Sequence, residues 1–220
     1  MKRKALKITL TALAAVLFIT AAAGVLFFCR GGGSAVYLSP SAQDHNLYAG
    51  MELSERQSMN YLTDALEAGL SDLCTVHAAN RTGTLDDYIA ESNAFRDVVH
   101  IALHSNATGM EDSTVRGCEI YVRPFDWESR RLAECIYEKL SALTPDRDRG
   151  IKTTTSLKEL NTVHHTAILI EVDFHDNEEG AIWITGHYPE IAAAIADGFH
   201  DYLNGEQRME SLKAALRSLL

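Results

Sequence analysis

Apolar side chains recur along this chain in two rhythms. Short runs at 35–38, 74–77, 100–103, 117–122 and Thr166–Phe174 are four to nine residues long, the length of strands, and several are apolar throughout rather than alternating, as in strands covered on both faces. The last of them, TAILIEVDF, is the most apolar. Between them lie stretches with helical spacing. The segment 55–68 places Met59, Leu62, Ala65 and Leu66 on one side, and 84–95 opens on Thr84 as a cap with Asp87 three positions later. Segment 127–143 is a long amphipathic helix closed by Thr144-Pro145, and 178–185 and 189–203 follow, with Asn204-Gly205 as a stop signal. Strands separated by helices predict an α/β fold: a twisted, mainly parallel sheet with helices on both faces.

The amino terminus has a different pattern. Lys2, Arg3, Lys4 and Lys7 precede an uncharged stretch, 8–29, that is long enough to span a bilayer and ends at Arg30. This charge bias keeps the first residues in the cytoplasm and the rest of the chain outside. Ala21-Ala22-Ala23 would suit a signal peptidase, but cleavage there would leave Val25-Leu26-Phe27-Phe28 on the mature end, so an uncleaved anchor over 1–30 is the preferred reading and secretion after cleavage the alternative. Gly31-Gly32-Gly33-Ser34 is a flexible tether. The folded domain is expected over 35–204. The tail, 205–220, places Leu212, Ala215, Leu216, Leu219 and Leu220 on one helical face, to pack on the domain or meet a partner.

With 220 residues and 46% hydrophobic content, there is material for one sizeable domain and little for a second. Thirty acidic against twenty basic residues give a net charge of −10, which excludes the basic footprint that a nucleic-acid backbone requires. Outside the membrane edge lie Cys74, Cys118 and Cys135, with no CxxC. They read as small buried hydrophobes, with a Cys118–Cys135 disulfide as the other option.

In parallel sheets, chemistry collects at the carboxyl ends of strands. One such end is HIALHSNATG, where a core strand breaks into His104-Ser105-Asn106. Another is Ser39-Pro40-Ser41-Ala42-Gln43-Asp44-His45-Asn46. Glu171 stands inside an apolar run, where a carboxylate is costly unless compensated, with Asp173 and His175 on the same face as second choices. Glu55 heads the first long helix, where the macrodipole alone would favour it. Two imidazoles and a carboxylate from separate elements, here His45, His104 and Glu55, have the composition of a catalytic zinc site, and a second carboxylate beside it would serve as base. His100 lies deeper on the face of His104 and reads as a hydrogen-bonded core residue. GxSxG, HExxH, P-loop and GxGxxG motifs are all absent from the sequence.

Several segments in order carry a resemblance: SPSAQDHN (39–46), SERQSMN (54–60), HIALHSNA (100–107), RGCEIYV (116–122), DRGIK (148–152) and LIEVDFHDN (169–177). Over about 36–203 the chain resembles the zinc-dependent N-acetylmuramoyl-L-alanine amidases of the family-three type, in a branch like those of clostridial and phage wall hydrolases. The common first motif there is Asp-Pro-Gly-His-Gly; here the histidine is displaced by an insertion. The resemblance implies that His45, Glu55 and His104 hold zinc and that Glu171 is the catalytic carboxylate. It implies hydrolysis of the amide joining the muramic acid lactyl group to L-alanine in peptidoglycan, Glu171 passing the proton of the attacking water to the departing nitrogen. Asn106 is expected to bind substrate, and Arg149 and Lys152 to meet stem-peptide carboxylates. The expected partners are peptidoglycan, the membrane and a protein activator. Two alternatives stay open: a domain that binds peptidoglycan without cutting it or only with an activator, and a zinc carboxypeptidase acting on wall peptides.

Overall fold

Six strands form one sheet in the computed structural model, which describes residues 35–110, 113–144 and 149–217. They are β1 (Ala35–Pro40), β2 (Thr75–Ala78), β3 (Val98–Asn106), β4 (Glu119–Val122), β5 (Ile151–Thr153) and β6 (Thr166–Phe174), in the order β2-β1-β3-β6-β4-β5. β2, β1, β3 and β6 run parallel, β4 is antiparallel to β6, and β5 is parallel to β4. The sheet is therefore mixed and mostly parallel. The expected membrane span, the tether, the end of the tail and Asp148 lie outside the described residues; among those described, no helix is long and apolar enough to cross a membrane.

Among the described residues, six helices accompany the strands: α1 (Glu55–Leu70), α2 (Leu85–Ala94), α3 (Trp127–Ser141), α4 (Lys158–Thr162), α5 (Glu178–Gly186) and α6 (Tyr188–Arg217). Local chemistry fixes where several of them start. Ser54 and Gln57 form a capping box on α1, Thr84 and Asp87 form one on α2, and the Asp126 and Asn177 side chains cap α3 and α5. Alternation along each strand then divides the core into two layers. Val36, Leu38, Ile101, Leu103, Ile168, Ile170 and Ile120 pack with Leu62 and Leu66 of α1, Leu132 and Ile136 of α3, and Ile195 and Phe199 of α6. On the opposite face Ala102, Ala167 and Leu169 meet Ile89 of α2 and Leu160 of α4, a much thinner cover.

Three features depart from the sequence reading. β3 continues through His104, Ser105 and Asn106, because β6 pairs with it that far, with a register shift after His104. The short elements β5 and α4 had no pattern long enough to announce them. α6 does not stop at Asn204-Gly205: Gly205 keeps a negative φ, and Arg131 of α3 reaches across to Glu206 (3.1 Å), so the helix is carried on by contact with its neighbour. The side chains of Leu212, Ala215 and Leu216 lie outside the described residues. A glycine is required earlier in α6, since a Cβ at Gly198 would stand 2.5 Å from the Ile136 Cα of α3. Cys74 and Cys135 are thiols and Cys118 lies in the core, so the Cys118–Cys135 disulfide is not formed.

Candidate active site

β1 and β3 end side by side: Pro40 pairs with Leu103, and the Ser41 N–H donates to the Leu103 carbonyl at 2.9 Å. On the thinly covered face, β1 presents Ser39, β3 presents His100 and His104, β6 presents Glu171, and β4 presents Glu119. Register sets the site across three strands, with His104 opposite Glu171 and Glu171 opposite Glu119. The register shift after His104 is a strand irregularity of the kind found beside active sites.

Glu55 reaches this edge from the first turn of α1. Its side chain is buried, with Oε1 accepting from His104 Nδ1 at 2.9 Å and Oε2 accepting from Asn46 Nδ2 at 2.9 Å. On the other side of the imidazole stands Glu159 of α4. Its Oε1 accepts from Ser39 Oγ at 2.5 Å and meets His100 Nε2 at 3.0 Å, while its Oε2 lies 3.6 Å from His104 Nε2, beyond hydrogen-bond reach. His100 is closed off by Ser92 Oγ at 2.9 Å on Nδ1, the core role expected of it. Burial opposes a charge on His104, but the Glu159 and Glu55 carboxylates outweigh it and raise its pKa well above the usual histidine range. Burial likewise opposes ionisation of Glu159 and Glu55, and the histidines beside them hold both below the usual carboxylate range.

Glu171 is partly buried, with Oε2 enclosed and without a hydrogen-bond partner. Burial, reinforced by Glu55 and Glu119 and opposed by His104, pushes its pKa up to about 8. Glu119 is itself buried, but it is paired: Lys152 Nζ at 2.7 Å and Arg149 on Oε1, Tyr121 Oη at 2.6 Å and Asn106 Nδ2 at 3.3 Å on Oε2. Asn106, Arg149 and Lys152, three separate expectations from the sequence, thus gather around one carboxylate.

His45 does not join them. Its side chain is exposed in the turn after β1, and the residues around it are tied in place: Asp44 pairs with Arg56 Nε at 2.9 Å, the Ala42 carbonyl accepts from another guanidinium nitrogen of Arg56 at 2.7 Å, the Gln43 carbonyl accepts from the Arg56 N–H, and the Asn46 carbonyl accepts from the Glu55 N–H. The structure brings together Glu55, His104 and Glu171, and leaves His45 outside. Asp173 and His175 serve the framework. Asp173 is buried and accepts from Arg116 Nε at 2.8 Å and the Gly117 N–H at 2.7 Å; His175 stacks on Tyr48 and bonds to Ser105. Sequence reading missed Glu119 and Glu159. Glu119 had the same signal as Glu171, a carboxylate within a short apolar strand; Glu159, in a polar stretch, had none.

A family model described as N-acetylmuramoyl-L-alanine amidase matches residues 50–201, more than half of the chain. The chain belongs to the N-acetylmuramoyl-L-alanine amidase family. Its activity is that of the family, hydrolysis of the amide between N-acetylmuramic acid and L-alanine in peptidoglycan. Solved amidases share the fold. The catalytic domain of CwlV from Bacillus (Paenibacillus) polymyxa var. colistinus is 19% identical with a TM-score of 0.69, the match covering 78% of this chain and 98% of that one. An N-acetylmuramoyl-L-alanine amidase from Clostridium difficile 630 is 22% identical with a TM-score of 0.68, over 79% and 98%. The CwlD amidase from Clostridioides difficile, solved in complex with the GerS lipoprotein, is 19% identical with a TM-score of 0.68, over 78% and 98%. A search of curated protein sequences gives no match.

Amidases of this family are zinc-dependent. A catalytic zinc takes three protein ligands and keeps a fourth position for water. Two orphaned buried atoms, His104 Nε2 and Glu171 Oε2, mark this edge as a place for a bound group, and Glu55 and His104 are suitable donors. Among the described residues, however, no three His, Cys, Asp or Glu side chains are gathered to hold a metal. The donor set does not fit a three-ligand zinc centre.

Proposed function

We propose that the amidase reaction of this chain takes place at the sheet edge formed by Glu55, His104 and Glu171, with Glu171 as the proton-transfer residue. The observation that carries this reading is the enclosed, unpartnered Oε2 of Glu171, beside His104 and facing the thinly covered side of the sheet. An unsatisfied buried carboxyl oxygen is costly, and a substrate or water that bonds to it relieves the cost. In the reaction a water oxygen adds to the lactyl carbonyl carbon, the carbon–nitrogen bond to L-alanine breaks, and the nitrogen leaves with a proton. Glu171 takes a proton from the water and delivers one to the nitrogen. Glu55 fixes the His104 ring through Nδ1. Arg149 and Lys152 are one-third or more exposed beyond their bonds to Glu119, which leaves donors for stem-peptide carboxylates, and Asn106 stands beside them.

The same reading places the chain outside the cytoplasm, held at the membrane by the apolar stretch 8–29, where its substrate lies. A relative solved with a lipoprotein makes a membrane-bound protein partner the class of activator to look for. The test is release of soluble fragments from purified peptidoglycan by the full chain, with zinc in the buffer, beside Glu171→Gln and His104→Ala. Loss of about 10²–10⁴-fold in rate for Glu171→Gln with an unchanged circular dichroism spectrum is expected. A Glu171→Gln chain as active as the native one overturns the assignment.

A further inference from the structure

Position 42 is where this centre departs from its family. The family's first motif, Asp-Pro-Gly-His-Gly, and this chain's Ser39-Pro40-Ser41-Ala42-Gln43 share a proline, and Pro40 is the last residue of β1. With the prolines superposed, the family's histidine falls on Ala42, two residues past the strand end, beside the edge that carries His104. His45 lies three residues further on, in the turn that Arg56 holds through Asp44, Ala42 and Gln43. Those bonds, with that from the Glu55 N–H to the Asn46 carbonyl, hold the backbone on either side of His45, and its side chain is exposed to solvent. The family model, moreover, matches from residue 50 onward and leaves the whole of this motif outside.

Where the motif has an aspartate, this chain has Ser39, and the Ser39 hydroxyl donates to a carboxylate supplied from elsewhere, Glu159 of α4. Glu159 is 3% exposed and also takes His100, a polar residue in the middle of a core strand. The buried Ser39–Glu159–His100 cluster therefore stands directly behind His104, and Nε2 of that ring faces a second carboxylate while Nδ1 faces Glu55.

We infer that this chain holds no zinc ion with three side chains of its own: the missing ligand position is Ala42, His45 does not replace it, and Glu55 with His104 supply only two donors. The inference deepens the proposed site and concerns its metal content alone, so it stands or falls separately from the role of Glu171.

The measurement is zinc per chain by elemental mass spectrometry, on the full chain loaded with zinc and then passed through zinc-free buffer, beside Ala42→His and His45→Ala. The expected result is zinc well below one per chain in the native protein, the same in His45→Ala, and about one per chain in Ala42→His, the complement of a catalytic site. Native protein that retains about one zinc overturns the inference, whether or not His45→Ala removes it; loss in that variant would make His45 the third ligand. An Ala42→His chain that keeps the native circular dichroism spectrum but stays zinc-free also overturns it, by removing position 42 as the missing donor. If Ala42→His does not fold, the native and His45→Ala contents still decide between a two-donor and a three-donor centre.

Discussion

Glu159→Leu removes the carboxylate behind the site while keeping a side chain of comparable bulk. Ser39 Oγ and His100 Nε2 then lose their acceptor in a place that water does not reach, Ser39 and His100 both being fully buried. An unsatisfied buried polar group costs about 1–3 kcal/mol, so the two together cost about 2–6 kcal/mol. Breaking a buried charged pair by removing one partner costs about 3–5 kcal/mol, which falls in the same range. Part of this is returned because the desolvation of Glu159 itself disappears. For a domain of this size, about 2–4 °C is lost per kcal/mol, so Glu159→Leu is expected to lower the melting temperature by about 6–20 °C. Glu159→Gln keeps a carbonyl oxygen for Ser39 and His100 and is expected to lose less than half as much. The assay is thermal unfolding of the full chain followed by near-ultraviolet circular dichroism. Glu159→Leu melting within about 2 °C of the native chain would show that the cluster contributes little, and the reasoning would fail.

Gly198→Ala puts a methyl group 2.5 Å from the Ile136 Cα and 2.7 Å from the Cys135 carbonyl oxygen, both backbone atoms of α3. Forcing the helices apart costs about 1–3 kcal/mol, more than the gain of up to about 1 kcal/mol from alanine's helix propensity, and the urea midpoint should fall; an unchanged or higher midpoint contradicts the close packing. Burial opposes the charge on Glu119, but Lys152, Tyr121 and Arg149 hold its carboxyl below the usual range. A lowered folded-state pKa gives stability that is present above the unfolded value and lost as pH falls through the folded one, so the native chain should lose more stability than Glu119→Gln between about pH 5 and pH 3; parallel melting curves would contradict the pairing. Arg149→Ala should raise KM for peptidoglycan more than it lowers kcat, as expected of a group that binds substrate without taking part in the proton transfer; a loss confined to kcat would refute that role.

Length and apolarity were enough to find the long elements. β6 falls on Thr166–Phe174 as the apolar run predicted, and Thr84 caps α2 as expected, because a capping box can be read as four letters. β5 and α4 span three and five residues, too few for either rhythm to show. The antiparallel placement of β4 was also hidden, since a strand's apolar pattern does not carry its direction. In the site, His104 and Glu171 stood out because a polar residue in or at the end of a core strand needs a reason. The same logic applied to Glu119 would have found the carboxylate that collects Asn106, Arg149 and Lys152. For His45, position in sequence says nothing about which way its turn is tied, and the backbone of that turn is held by Arg56 of α1, eleven residues on. Glu159 was beyond reach: its importance comes from His100 and Ser39, which only the fold brings to it.

The most direct test of the amidase reaction at this site is the identity of its products. Purified peptidoglycan treated with the full chain in zinc-containing buffer, then separated and weighed by mass spectrometry, should yield muramic acid with a free lactyl carboxylate and stem peptides that begin at L-alanine, and Glu171→Gln should yield neither. Stem peptides shortened at the far end but still joined to muramic acid, or the same products from Glu171→Gln, would contradict it.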